Sequence, residues 1–167
     1  MSGAQVNFVK QQGFQDATPR TCNIQYPALM FQPRVIGALA AVGVLLQAPW
    51  LFLALSAVLW WNAVLPALNP FDGVYNRLIA AGKGALPLPP APAPRRFAQG
   101  MAATFMLIIG LSLLAGRSTL AWVFEAMLLA ALAALIFGKF CLGSYVFHLL
   151  TGKGDFASRT LPWSRGA

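Results

Sequence analysis

The chain is short of charge. Of its 167 residues only 10% are Asp, Glu, Lys or Arg, against about 25% in a soluble domain, and only four are acidic. It is equally short of metal and redox ligands. Cys22 and Cys141 are the only cysteines and stand far apart, and His148 is the only histidine, which excludes zinc, haem-attachment and cluster patterns. The N-terminal stretch has no short apolar core of the secretory type. A nucleic-acid surface is excluded too. The net charge is +8, but the basic residues sit in the gaps between apolar runs and are not interleaved with aromatics on an amphipathic helix.

What fills the chain is apolar sequence, 58% by count. Two runs, Phe97–Gly116 and Ser118–Gly138, follow one another with only Arg117 between them. Each is about 20 residues, roughly 30 Å as a helix, the thickness of a bilayer's hydrocarbon core. Two more runs precede them. The reading is an all-α membrane protein of four transmembrane helices arranged as two hairpins. Spans fall near 34–48, 50–68, 97–116 and 118–138, together forming a transmembrane domain over residues 34–150. The first span carries a possible earlier start at Pro27 or Pro33. Residues 1–33 read as an extended arm that orders against a partner or against the protein's own helices. Residues 69–96 read as a Pro-rich loop holding a short surface helix from Asp72 to Ala81 and a stiff spacer over Leu86–Pro94. Residues 151–167 form a polar tail. Pro49 suits the first turn of the second helix. Gly116 suits a left-handed helix end and Ser118 a cap for the fourth helix.

Charge sets the expected orientation. Of the twelve Lys and Arg residues, all but Arg117 fall in the arm, the central loop or the region after the fourth span. With four spans those regions share one side, and the positive-inside bias makes it the cytoplasm, with both termini inside. The lipid bilayer and other membrane subunits are the expected partners. Gly37 and Ala41 give the first span a small-residue face for close helix approach. Trp60 and Trp61 read as an interfacial belt or a packing surface, or else as part of a quinone or pigment site.

Two places could carry chemistry. If the fourth helix continues past Lys139, Cys141, Ser144, Tyr145 and His148 share one face, at the same depth as Arg95, Arg96 and Gln99. A thiol among cations is activated as thiolate, with His148 and Arg96 as helpers; the alternative is a buried, inert cysteine at a helix crossing. Glu125 is the only acid inside any run, where an ionisable group is costly and calls for a partner. The alternatives are a protonated carboxyl, a side chain that snorkels to the surface, or a pair with a cation from another subunit, and Arg117 could meet it partway if both side chains extend. A proton relay would need a second titratable group within the membrane, and the sequence offers none.

Pro94-Arg-Arg-Phe-Ala-Gln99 before the third span and Phe140-Cys-Leu-Gly-Ser-Tyr145 after the fourth resemble the signatures of a bacterial four-span membrane family, domain of unknown function 4395. Arg34 and the Pro49-Trp50 turn are also similar. The resemblance covers roughly Pro33 to Leu150. It implies thiol–disulfide or sulfur-transfer chemistry through a Cys-x-x-Cys pair, but here the second position is Ser144, whose hydroxyl cannot close a disulfide. The leading expectation is therefore a non-catalytic accessory subunit of a larger complex, respiratory or photosynthetic, in a bacterial inner membrane. The rivals are a thiol-redox or sulfur-relay protein centred on Cys141 and a bundle binding quinone or another small molecule. No cofactor is evident; bound lipid, quinone or pigment at the interfaces stays open.

Overall fold

The computed structural model describes residues 2–14, 19–81 and 87–164. Lys83, Leu86 and Arg165, and the side chain of Arg20, lie outside the described residues. Among the described residues the chain is all-helical: α1 (Gly3–Gln11), α2 (Pro19–Leu46), α3 (Pro49–Val64), α4 (Pro70–Val74, continued by a π-helical turn over Tyr75–Ala80), α5 (Ala93–Leu114), α6 (Ser118–Ile136), α7 (Leu142–Leu150) and α8 (Gly154–Arg159).

Three helical segments are long and apolar enough to cross a membrane: Gln25–Leu46, Ala93–Leu114 and Ser118–Ile136. The fourth apolar helix, α3, has 16 residues and spans about 24 Å. It stops at Val64, short of the expected end at Leu68, because the chain tightens into a 3₁₀ turn at Pro66–Leu68. The first span starts earlier than Arg34, with its membrane-length segment beginning at Gln25, near the alternative start at Pro27. A proline inside a helix forfeits a backbone hydrogen bond and crowds the preceding turn, which is why the sequence suggests a start at Arg34. The helix instead runs through both Pro27 and Pro33, held there by packing. Ala28, Leu29 and Met30 are buried in one apolar cluster with Phe8 and Val9 of α1 and with Tyr75.

That cluster lies at one end of the bundle. A second one fills the middle, where Ile36 and Ala40 of α2, Phe52, Leu55 and Leu59 of α3, Met106 and Ile109 of α5 and Leu128 of α6 meet. In lipid, apolar burial gives no drive of its own, and close van der Waals fit has to hold helices together. α5 is the central element: it packs against α3, α6 and α7. α6 is peripheral and buries only Ala121, Glu125 and Leu128, one narrow stripe. The turn between α5 and α6 places Gly116 in the left-handed region (φ +67°). Ser118 is already inside α6, and Arg117 holds the cap position without a side-chain hydrogen bond.

Three segments read as peripheral are folded against the bundle. The arm is not extended: Gly3–Gln11 is helical and buries Asn7, Phe8, Val9 and Gln11. The Asn7 side-chain amide donates to the Leu161 carbonyl at 2.9 Å and the Ser164 hydroxyl at 3.1 Å, joining the two ends of the chain. In the proline-rich stretch, Leu88 and Ala91 are buried, and Leu88 exchanges backbone hydrogen bonds with the Asn76 side chain at 2.8 and 3.2 Å. It is a packed strap, not a free spacer.

Candidate functional site

The polar groups gather at the α1 end of the bundle, in two adjoining sets. The first is built on a carboxylate that the sequence reading left in a surface helix. Asn69 caps α4 by accepting from the Phe71 and Asp72 backbone amides, which turns Asp72 inward, where it is buried. Arg95, in the first turn of α5, meets it as a two-pronged pair at 2.8 and 3.0 Å. The Gln32 side-chain oxygen on α2 accepts from Arg95 at 3.1 Å, Gln99 at 3.0 Å and Asn69 at 3.3 Å. One carboxamide oxygen thereby ties α2, α5 and the segment after α3 together. The Gln99 Oε1 atom is buried without a protein partner.

The second set surrounds Cys141. The fourth helix does not continue past Lys139. α6 ends at Ile136, Lys139 adopts a positive φ of 55°, and Cys141 becomes the residue that caps the new helix α7. Within α7 the expected spacing still places Cys141, Ser144 and His148 together on the buried side. Tyr145 is only half-buried and packs at a tilt against the Phe140 ring instead. The Ser144 hydroxyl bridges Cys141 Sγ and the Pro94 carbonyl, each at 3.3 Å. Gln11 of α1 covers the set: its side-chain oxygen accepts from the Cys141 backbone amide at 2.9 Å, and its carbonyl accepts from His148 Nε2 at 3.0 Å. That bond puts the imidazole hydrogen on Nε2. Nδ1 is buried without a partner, and the ring packs edge-on against Phe147 and Phe156.

Cys141 is 3% exposed. The cations expected around it are engaged elsewhere: Arg95 is paired with Asp72, and the Arg96 Nε donates to the Ala63 carbonyl of α3 at 2.7 Å. Pro94 and Arg96 are two residues apart, about 200° around the helix, so Arg96 faces away from α7. Cys22 sits on α2 in the same apolar cluster as Cys141, and neither forms a disulfide. Burial pushes the Cys22 thiol above its usual range, and Lys10 opposes this more weakly. Among the described residues no group of Cys, His, Asp and Glu has the arrangement to hold a metal. A cavity of about 110 Å³ separates the two sets, with Gln32, Arg95, Gln99 and Cys141 on a wall that is otherwise mostly apolar.

The remaining sequence candidates are spread along the bundle. Gly37 serves an internal crossing, since a Cβ there would lie 2.9 Å from the Ile136 side chain of α6. Ala41, Trp60 and Trp61 are exposed. Glu125 is buried at the opposite end from Cys141, and its partner within this chain is Gln47 rather than Arg117. The Gln47 amide donates to both carboxylate oxygens at 3.2 Å. Sequence reasoning missed Gln11, Gln32, Gln47 and Asp72. Their one signal is that amide and acid side chains recur beside apolar runs in a chain otherwise poor in polar groups.

The two stretches singled out in the sequence meet in space. A Cβ on Gly143 would lie 2.6 Å from the Ala98 Cα, so α7 approaches the α5 backbone as closely as only glycine allows, and Ser144 reaches Pro94 beside it. No curated protein and no solved structure matches the chain. A family model does, over residues 24–151, a match that takes in α2 after its first five residues, then every element through α7, and both stretches. The chain belongs to the family described as domain of unknown function (DUF4395).

Proposed function

We propose that this protein is a non-catalytic subunit of the bacterial inner membrane. In this reading it crosses the bilayer four times, with both termini in the cytoplasm, and packs against a larger membrane complex. The observation that carries the non-catalytic reading is the closure of the Cys141 set. The thiol is buried under α1, Ser144 stands where a resolving cysteine is needed, and His148 is committed to a backbone carbonyl. Thiol exchange needs an accessible thiolate and a second thiol; Cys141 is buried, and Cys22, the other thiol of its cluster, is equally buried and forms no disulfide with it.

Four crossings follow if α3 is counted with the three longer helices; a shorter span is accommodated by local thinning of the bilayer. The sorting of basic residues supports the orientation. The docking role rests on α6, where Leu120, Trp122, Val123 and Met127 are all exposed beside its single buried stripe. A quinone-binding bundle is less well supported: the pocket between the two polar sets holds only about 110 Å³, below the roughly 300 Å³ at which ligand pockets begin, and the larger groove beside Trp60, about 490 Å³, lies open on the outside of the bundle.

Extraction in a gentle detergent followed by native gel electrophoresis tests the reading. The protein is expected to migrate with a large assembly, and a stable lone monomer would overturn the subunit role. A reporter fused after Ala167 that is active only outside the cytoplasm would overturn the orientation.

A further inference from the structure

A groove of about 490 Å³ runs along the outside of the bundle between α3 and α5. Its α5 wall comes from Ala93, Arg96, Phe97, Gly100, Met101 and Thr104, which recur turn by turn along one helical face. Gly100 forms the floor: it has no side chain, and a Cβ there would only touch the Trp60 ring at 3.6 Å. Trp60 (43% exposed) and Phe97 (36%) are open to the surroundings.

The groove is polarised along its length. Arg96 lies toward one end, at the α1 end of the bundle, and the residues beyond it are apolar apart from Thr104, whose hydroxyl is bonded to the Gly100 carbonyl. The Arg96 Nε is fixed by the Ala63 carbonyl, which holds the guanidinium in place, and its two terminal nitrogens have no protein partner among the described residues. From Arg96 to Thr104 the wall is about 12 Å long at 1.5 Å per residue. That is most of the depth of one leaflet, which is half of a roughly 30 Å hydrocarbon core.

A cation anchored at the head of an apolar channel nearly one leaflet deep is the complement of a single amphiphile with an anionic head. We propose that this groove binds one anionic phospholipid, its phosphate on the free face of Arg96 and one acyl chain along Trp60, Phe97 and Gly100. Arg is suited to the role because its planar fork bonds phosphate through two nitrogens at once. The proposal rests on insertion in a membrane but on neither the subunit role nor the orientation, and it gives Arg96 a purpose unrelated to Cys141.

The test uses the full chain, purified in mild detergent and exchanged into nanodiscs of phosphatidylglycerol and phosphatidylcholine with identical acyl chains, with retained lipid read by native mass spectrometry. The protein is expected to retain phosphatidylglycerol about fivefold over phosphatidylcholine, the scale of one Arg at an anionic surface. Arg96→Gln is expected to abolish the preference, Arg96→Lys to leave part of it, and Arg117→Gln, at the other end of the bundle, to change nothing. Equal retention of the two lipids, or an unchanged preference in Arg96→Gln, overturns the proposal. Displacement of the retained lipid by millimolar inorganic phosphate also overturns it, since the acyl chain would then contribute nothing. If Arg96→Gln loses its helical circular dichroism, Arg96→Lys and the wild type at raised salt decide, because a head-group contact must weaken with screening and a preference indifferent to both overturns the proposal. Release of the protein from membranes by alkaline carbonate would sink the membrane reading itself, a failure distinct from all of these.

Discussion

The buried Asp72–Arg95 pair offers the sharpest test of how the α1 end of the bundle is held. Asp72→Ala removes a carboxylate that receives both arms of the guanidinium, at 2.8 and 3.0 Å, from a place where Arg95 is 4% exposed. What remains for the cation among the described residues is the Gln32 oxygen at 3.1 Å, a dipole in place of a charge. Breaking a buried pair from one side costs about 3–5 kcal/mol, because the survivor is left uncompensated. For a chain of this size that corresponds to a fall in Tm of about 6–20 °C at 2–4 °C per kcal/mol. Thermal unfolding in one detergent, followed by circular dichroism, measures it. Asp72→Asn, which keeps the shape and loses the charge, is expected to cost less, about 1.5–3 kcal/mol. Removing both partners is expected to cost less than the sum of the single changes. A loss below about 1 kcal/mol for Asp72→Ala would place the pair among exposed ion pairs and refute the buried network.

Three further outcomes are expected. Gly143→Val drives a side chain into the α5 backbone at Ala98 and is expected to cost at least 2 kcal/mol by overpacking, whereas Gly73→Ala, with open space around it, should change the melting temperature by under 3 °C. Gln47→Leu strips the buried Glu125 carboxylate of its donor and is expected to destabilise the α2–α6 contact by about 1–3 kcal/mol, visible as a lower melting temperature that Glu125→Leu in the same chain partly restores. The third concerns pH. Because burial raises the Cys22 thiol, the folded state holds that proton more tightly than the unfolded one. Its contribution is complete below about pH 8.5 and declines as pH rises past that value. Melting temperatures between pH 7 and 10 should therefore fall more steeply for the wild type than for Cys22→Ala, and parallel slopes would contradict this.

Membrane-compatible helices, the compact turn around Gly116 and the membership of the family were all legible in the chain itself. Each depends on residues close in sequence: a run of apolar side chains, a glycine free to take positive φ, two short motifs. The helix through Pro27 and Pro33, the fold of α1 over Cys141 and the partners of Asp72 and Glu125 were decided only in three dimensions. A proline's local cost of a few kcal/mol can be outweighed by the packing of Leu29 and Met30 against Phe8 and Val9, which sequence separation conceals. The break after Ile136 is the clearest case. Nothing in Phe137-Gly-Lys-Phe140 rules out one helix continuing into the next, yet turning the chain there lets Gly143 close on Ala98 and brings Cys141 under Gln11. Local sequence determined which segments are helical and apolar. Contacts between residues 23 to 154 positions apart determined which polar side chains are partnered, and so which of the candidate groups remain available for chemistry.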